Sequence, residues 1–230
     1  MGAVEREIAY PAARQSSRAG PHRWVLATAT LSPIMLIGGW LLAGRLQDSG
    51  FSPMQQSVSF LASYGAQHRY VMTGALLAVG CLNTATACGL TGVRASARIV
   101  LAIAGASTAL VAAFPQPVNG TSTAHMVSAV SGAVLLTLWA GLASAPARVH
   151  PSLITSRGAV AAAILISISV VALFAAAQLD NYVGLCERIC TSIQTTWPLV
   201  IALTLRQYCF GNEKGPAPKG AGPSPKNVRQ

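Results

Sequence analysis

Six runs of apolar residues, separated by short polar stretches, organise this chain: 24–46, 70–91, 99–114, 124–145, 158–179 and 187–205. A helix crosses a hydrocarbon core with about 20 residues, each adding about 1.5 Å. The run 99–114 is the shortest and can be extended at either end. Backbone exposed to lipid must satisfy its own hydrogen bonds, so runs of this kind are helices. The pattern predicts an all-α fold, a six-helix transmembrane bundle spanning residues 24–206, with no room for a second domain. The first run is too long for a signal peptide, and no small-residue cleavage site follows it closely.

The stretch between the first two runs has its own pattern. Ser52-Pro53 suits an N-cap followed by the first helical position. Met54, Val58 and Leu61 then recur at i, i+4 and i+7, flanked by Phe60 and Tyr64. This spacing predicts a short interfacial helix, lying on the membrane with its apolar face down; a plain surface loop is the competing reading.

Composition agrees with a membrane protein. Only 10% of the residues are charged and 52% are apolar, against about 25% charged in a soluble domain; the mean hydropathy is +0.50. The net charge of +10 would by itself raise nucleic acid as a partner. The basic residues, however, are scattered between the apolar runs and follow the positive-inside rule. Arg6, Arg14, Arg18 and Arg23 precede the first run, while Arg94 and Arg98 lie between the second and third. Arg148 and Arg157 lie between the fourth and fifth, and Arg206, Lys214, Lys219, Lys226 and Arg229 follow the sixth. Only Arg45, Arg69 and Arg188 fall on the other side. Both termini are therefore expected in the cytoplasm, and the Ala-, Val- and Arg-rich composition suits a bacterial inner membrane. Residues 1–23 and 207–230 are expected to be disordered, basic cytoplasmic segments attracted to anionic lipid headgroups. Membrane lipids and a hydrophobic small molecule are the expected partners, nucleic acid is not, and the oligomeric state stays open.

With the basic residues stripped to one side, the opposite end of the bundle holds the candidate chemistry. Glu187 opens the sixth run, and Cys190, Thr191, Gln194 and Pro198 share its face at i+3, i+4, i+7 and i+11. A polar stripe entering a membrane points at other helices or a cavity. Pro198 removes a backbone donor and frees a carbonyl one turn earlier. Asp180 lies at the same end and is a second candidate acid. His125, which opens the fourth run, can shuttle protons or bind a carboxylate. Arg188, Gln194 and Trp197, with Asn83 in the middle of the second run, are the candidate substrate-binding side chains. Each has a plainer reading: an interfacial Glu187 capping its helix, a His125 bonded to a loop carbonyl, an Asn83 joining two helices.

The five cysteines are too few and too deeply placed for a disulfide framework. Cys186 and Cys190 share a helix face, with His125 as the sole third ligand, so they are read as packing residues and no metal or cofactor is expected. The sequence holds no Walker loop, dinucleotide glycine pattern, nucleophile elbow or zinc-protease helix.

Several segments, taken in order, resemble the DUF998 family of bacterial integral membrane proteins: Ser57-Val58-Ser59-Phe60-Leu61 followed by Gly65, Phe114-Pro115, His125, Gly184-Leu185-Cys186-Glu187-Arg188, and Trp197-Pro198. The resemblance covers roughly residues 24 to 206. It implies a six-helix fold and no established activity, and it supports Glu187, Arg188 and His125 without giving them roles. Where relatives often carry an acid soon after the Phe-Pro pair, this chain has Gln116-Pro117-Val118-Asn119. If that acid belongs to a shared site, this chain either lacks it or draws on Asp180 or Asp48 instead.

Three functions follow. The first is a lipid- or isoprenoid-binding pocket at the extracytoplasmic end, walled by the second, fourth and sixth helices. It would extend to metal-independent acid–base chemistry, such as proton-initiated terpene cyclisation with Glu187 or Asp180 as donor. The alternatives are a non-catalytic membrane partner or scaffold, and a small transporter. Convergence of Glu187, Asp180 and His125 on one cavity separates the first from the others.

Overall fold

The computed structural model describes residues 20–143 and 155–213. Among them are six α-helices: α1 (Arg23–Arg45), α2 (Tyr70–Gly89), α3 (Ala95–Ala113), α4 (Thr123–Leu142), α5 (Ser156–Gln178) and α6 (Val183–Glu213). Five of these, α1 to α5, are long and apolar enough to cross a membrane. The protein is a multi-pass membrane protein. In α6 the apolar run is diluted by Glu187, Arg188, Thr191, Gln194 and Thr195, which face neighbouring elements. The helix also runs past its expected end, so residues 207–213, expected in the basic tail, are helical. The rest of that tail and residues 1–19 lie outside the described residues.

Successive helices pack side by side, and α6 returns against α1 and α4 to close the ring. Small residues set the tightest approach. A Cβ on Gly80 would stand 2.7 Å from the Gly105 carbonyl oxygen, and one on Gly105 would stand 2.6 Å from the Gly80 carbonyl oxygen. The α2 and α3 backbones thus touch directly, the small-residue packing favoured between membrane helices. Polar side chains tie other pairs. Ser32 donates to Asn83 Oδ1 at 2.9 Å between α1 and α2, and Gln194 Nε2 donates to the Ala133 carbonyl at 3.2 Å between α6 and α4.

Two buried apolar clusters fill the ring. One gathers Val25, Leu90, Leu101, Trp139 and Ile201 toward the end where α1 begins. The other gathers Leu36, Val58, Leu61, Met72 and Val111 toward the end where α1 stops. Caps fix the helix ends. Ser122 Oγ accepts the His125 amide at α4 and Thr155 Oγ1 the Gly158 amide at α5, while Arg98 Nε donates to the Ala87 carbonyl at the last turn of α2. One face of α5, through Val160, Ile164, Ile168 and Val171, stays exposed and apolar, as a lipid-facing surface must.

The 46–69 connection differs from the expected interfacial helix. It is a run of turns containing one short 3-10 turn, Phe60–Ala62. Its apolar residues do not share an outward face: Met54 is 47% exposed, whereas Val58 is 2% and Leu61 0% exposed, inside the mouth of the bundle. The cause is competition for its backbone. A helix would have given the Met54 carbonyl to the Val58 amide and the Gln56 carbonyl to the Phe60 amide. Here Met54 accepts from the Leu185 amide, Gln56 accepts from Arg188, Val58 donates to Glu187 and Phe60 donates to Ser57 Oγ.

Candidate functional site

The first amides of a helix lack partners within it, and at α6 the 46–69 connection supplies one for Leu185. The Met54 carbonyl accepts the Leu185 amide at 3.1 Å. Just before the helix, Gln55 Oε1 accepts the Tyr182 amide at 2.9 Å, and Gln55 Nε2 donates to Asn181 Oδ1 at 3.2 Å.

The first turns of α6 grip the connection in return. Neighbouring helix positions project about 100° apart, so Glu187 and Arg188 take different stretches of it. Glu187 Oε2 accepts the Val58 amide at 2.7 Å and Oε1 accepts the Ser59 hydroxyl at 3.1 Å. Arg188 Nη1 donates to the carbonyls of Pro53 at 2.6 Å, Gln56 at 2.9 Å and Gly184 at 2.9 Å. Arg188 is buried, and its Cζ lies 5.4 Å from the Trp40 ring centroid and 6.0 Å from that of Phe51, within cation–π range. Its Nε and Nη2 make no hydrogen bond among the described residues. Gly184 makes this approach feasible, since a Cβ there would sit 2.5 Å from the Pro53 oxygen and 2.7 Å from Arg188 Nη1.

Behind the clamp lies a cavity of about 130 Å³. Its walls draw on all six helices and on Val58 and Ser59 of the connection. Leu36, Leu76, Val111, Leu136 and Leu173 make it largely aliphatic, and Glu187, Thr191 and Gln194 form a polar strip along α6. It lies where the two apolar clusters meet, drawing Leu36 and Val58 from one and Leu136 from the other. The expected wall of α2, α4 and α6 is thus part of a wider one.

Of the three candidate acid–base residues, Glu187 lines the cavity and the other two do not. Asp180 is exposed in the turn between α5 and α6, with φ of 48°, a left-handed conformation that a short polar side chain tolerates. Its place is that of a turn former. His125 is buried, and its Nδ1 lies 2.9 Å from the Phe114 carbonyl. A carbonyl only accepts, so Nδ1 carries the proton and the ring ties α4 to the end of α3. The expected convergence of the three on one cavity does not occur, because His125 is drawn to the α3 terminus and Asp180 to a turn.

The substrate-binding candidates also separate. Gln194 lines the cavity. Arg188 belongs to the clamp, Asn83 spends its oxygen on Ser32, and Trp197 packs against the apolar cluster around Trp139. Asp48 is exposed and accepts from Gln67 Nε2 at 2.6 Å. No group of three His, Cys, Asp or Glu side chains gathers among the described residues. Gly184 and the Pro53, Gln56 and Val58 backbone groups complete the site, and neither residue type nor spacing marks them in the sequence.

The family model described as "Protein of unknown function (DUF998)" matches residues 30–204, a stretch containing the connection, the clamp and every residue of the cavity wall. No curated protein and no solved structure matches the chain.

Proposed function

The chain belongs to the DUF998 family, and we propose that its bundle is a receptor for a lipid-like molecule, with one isoprenoid-sized apolar group held in the cavity beneath the 46–69 connection. The cavity itself carries this reading. At about 130 Å³ it compares with an engineered protein cavity of about 150 Å³ that takes benzene, so it suits a group of about six heavy atoms. At about 24 cal/mol per Å³ of unfilled core, filling such a volume is worth about 3 kcal/mol. Glu187 and Arg188 hold the connection as the cavity's roof.

Binding has more support than chemistry. A proton-initiated cyclisation needs an acid free to donate and room for a folded polyprenyl chain. Both Glu187 oxygens already accept hydrogen bonds, and the volume suits one isoprene unit. In this reading both termini face the cytoplasm, as the distribution of Arg and Lys directs, and the cavity lies toward the extracytoplasmic surface of the cell membrane.

The test is photolabelling of the purified protein in lipid nanodiscs with a hexane-sized alkyl diazirine, followed by mapping of the adducts. The reading predicts adducts on peptides carrying Leu36, Val58, Leu136 and Leu173. Adducts confined to the exposed α5 face around Val160 and Ile168 would remove it.

A further inference from the structure

The protons of the cavity's polar groups are largely spent inside the protein, and this defines the head group that a ligand must bring. Four of the wall's hydroxyl and carboxyl groups can be followed one by one. The Ser59 hydroxyl donates to Glu187 Oε1 at 3.1 Å. The Thr108 hydroxyl donates to the Ala104 carbonyl at 3.0 Å, and the Thr191 hydroxyl to the Glu187 carbonyl at 2.7 Å. Each then keeps only lone pairs to offer. Both Glu187 oxygens act as acceptors, Oε2 toward the Val58 amide and Oε1 toward the Ser59 hydroxyl. Gln194 gives one amide hydrogen to the Ala133 carbonyl and keeps its side-chain oxygen. On the same turn, Pro198 has no N–H to return to the Gln194 backbone carbonyl. The donors left on the wall are the second amide hydrogen of Gln194 and the weak Cys190 thiol.

From this count, and resting on the receptor function above, we infer that the ligand presents a hydrogen-bond donor, a hydroxyl or an ammonium, to the Glu187–Thr191–Gln194 strip, with its branched apolar body among the leucines. A carboxylate or phosphate head would meet the lone pairs of Ser59, Thr108, Thr191 and Gln194 with few donors to receive it. A bare alkane would fill the volume but leave those acceptors desolvated and unpaired, which costs about 1–3 kcal/mol per buried group. An alcohol of five carbons has six heavy atoms, which matches the cavity volume.

The experiment is competition against the mapped cavity adduct in wild-type protein, using four molecules with one branched five-carbon skeleton: 3-methylbutan-1-ol, 3-methylbutylammonium, 3-methylbutanoate and 2-methylbutane, compared at equal free concentration. The alcohol and the ammonium are expected to displace the label at concentrations up to about tenfold below the other two, as one added hydrogen bond of about 1 kcal/mol or somewhat more would give. Equal competition by the alkane would overturn the donor requirement while leaving the receptor function standing, and preference for the carboxylate would overturn it in the same way. Failure of the probe to label the cavity at all would remove both. A Thr191→Val protein, which keeps the Glu187 clamp, should lose part of the alcohol-over-alkane ratio with no loss of alkane competition. An unchanged ratio would remove Thr191 from the strip.

Discussion

Glu187 Oε2 accepts the backbone amide of Val58 at 2.7 Å across 129 positions of sequence. That bond takes from the 46–69 connection an amide that a local helix would have used, and it places Val58 on the roof of the cavity. With the Arg188 contacts to Pro53 and Gln56 it makes the start of α6 the support on which the connection folds.

Truncation of Glu187 should therefore loosen the roof before it unfolds the bundle. Glu187→Ala leaves the buried Val58 amide unpaired and is expected to cost about 1–3 kcal/mol, whereas Glu187→Gln keeps one acceptor and costs less. Hydrogen exchange read at 52–62 should rise strongly in the first and weakly in the second, with α2 and α3 unchanged. Uniformly raised exchange over all helices would show that the residue supports the bundle as a whole.

Gly184→Ala should destabilise although it lies in a helix, where Gly→Ala ordinarily stabilises by about 0.5–1 kcal/mol. The added Cβ meets the Pro53 and Gln56 carbonyl oxygens and Arg188. A lower unfolding midpoint and faster exchange at 52–58 are expected. A raised midpoint would mean that the connection is not seated against α6.

Arg188→Lys is expected to behave as a loss and not as a conservative change. The two hydrogens of one guanidinium nitrogen are shared among three carbonyls, while the guanidinium carbon lies 5.4 Å from the Trp40 ring centroid and 6.0 Å from that of Phe51. The shorter reach and compact, strongly hydrated charge of an ammonium do not suit a site between two aromatic rings. The expected readout is a lowered unfolding midpoint with increased protease cleavage between residues 50 and 60. Wild-type resistance in the Lys protein would show that a point charge suffices.

Paired glycines test the packing of α1, α2 and α3. Gly105→Ala should destabilise, since its Cβ would press on the Gly80 carbonyl oxygen and Thr84, whereas Gly74→Ala and Gly38→Ala meet nothing within 4 Å. The latter two should be neutral or slightly stabilising by thermal unfolding in detergent. Similar effects from all three would contradict the direct α2–α3 backbone contact.

The helices were legible from the apolar runs because a membrane imposes hydrogen-bond closure on each segment by itself. Glu187, Thr191 and Gln194 were legible for a related reason: polar residues on one face of a membrane helix need something other than lipid beside them, and all three line the cavity. The 46–69 connection was not. Ser52-Pro53 and the spacing of Met54, Val58 and Leu61 state a local helical preference, and partners more than 120 residues away override it. His125 and Asp180 lie at the same end of the bundle as Glu187, but burial against a carbonyl and a left-handed turn are decided by neighbours that periodicity does not report. The aliphatic walls at Leu36, Leu76 and Leu173 look in sequence like any lipid-facing leucine.

The central claim is that the space under the connection takes up an apolar group. It is tested most directly by the ratio of cavity adducts to α5-face adducts in wild type and in Ala133→Leu, which adds a side chain to the cavity wall. The α5 face serves as an internal standard for probe dissolved in lipid. A fall of about tenfold in that ratio, with the unfolding midpoint maintained, is the predicted result. An unchanged ratio in a folded Ala133→Leu protein would contradict the claim.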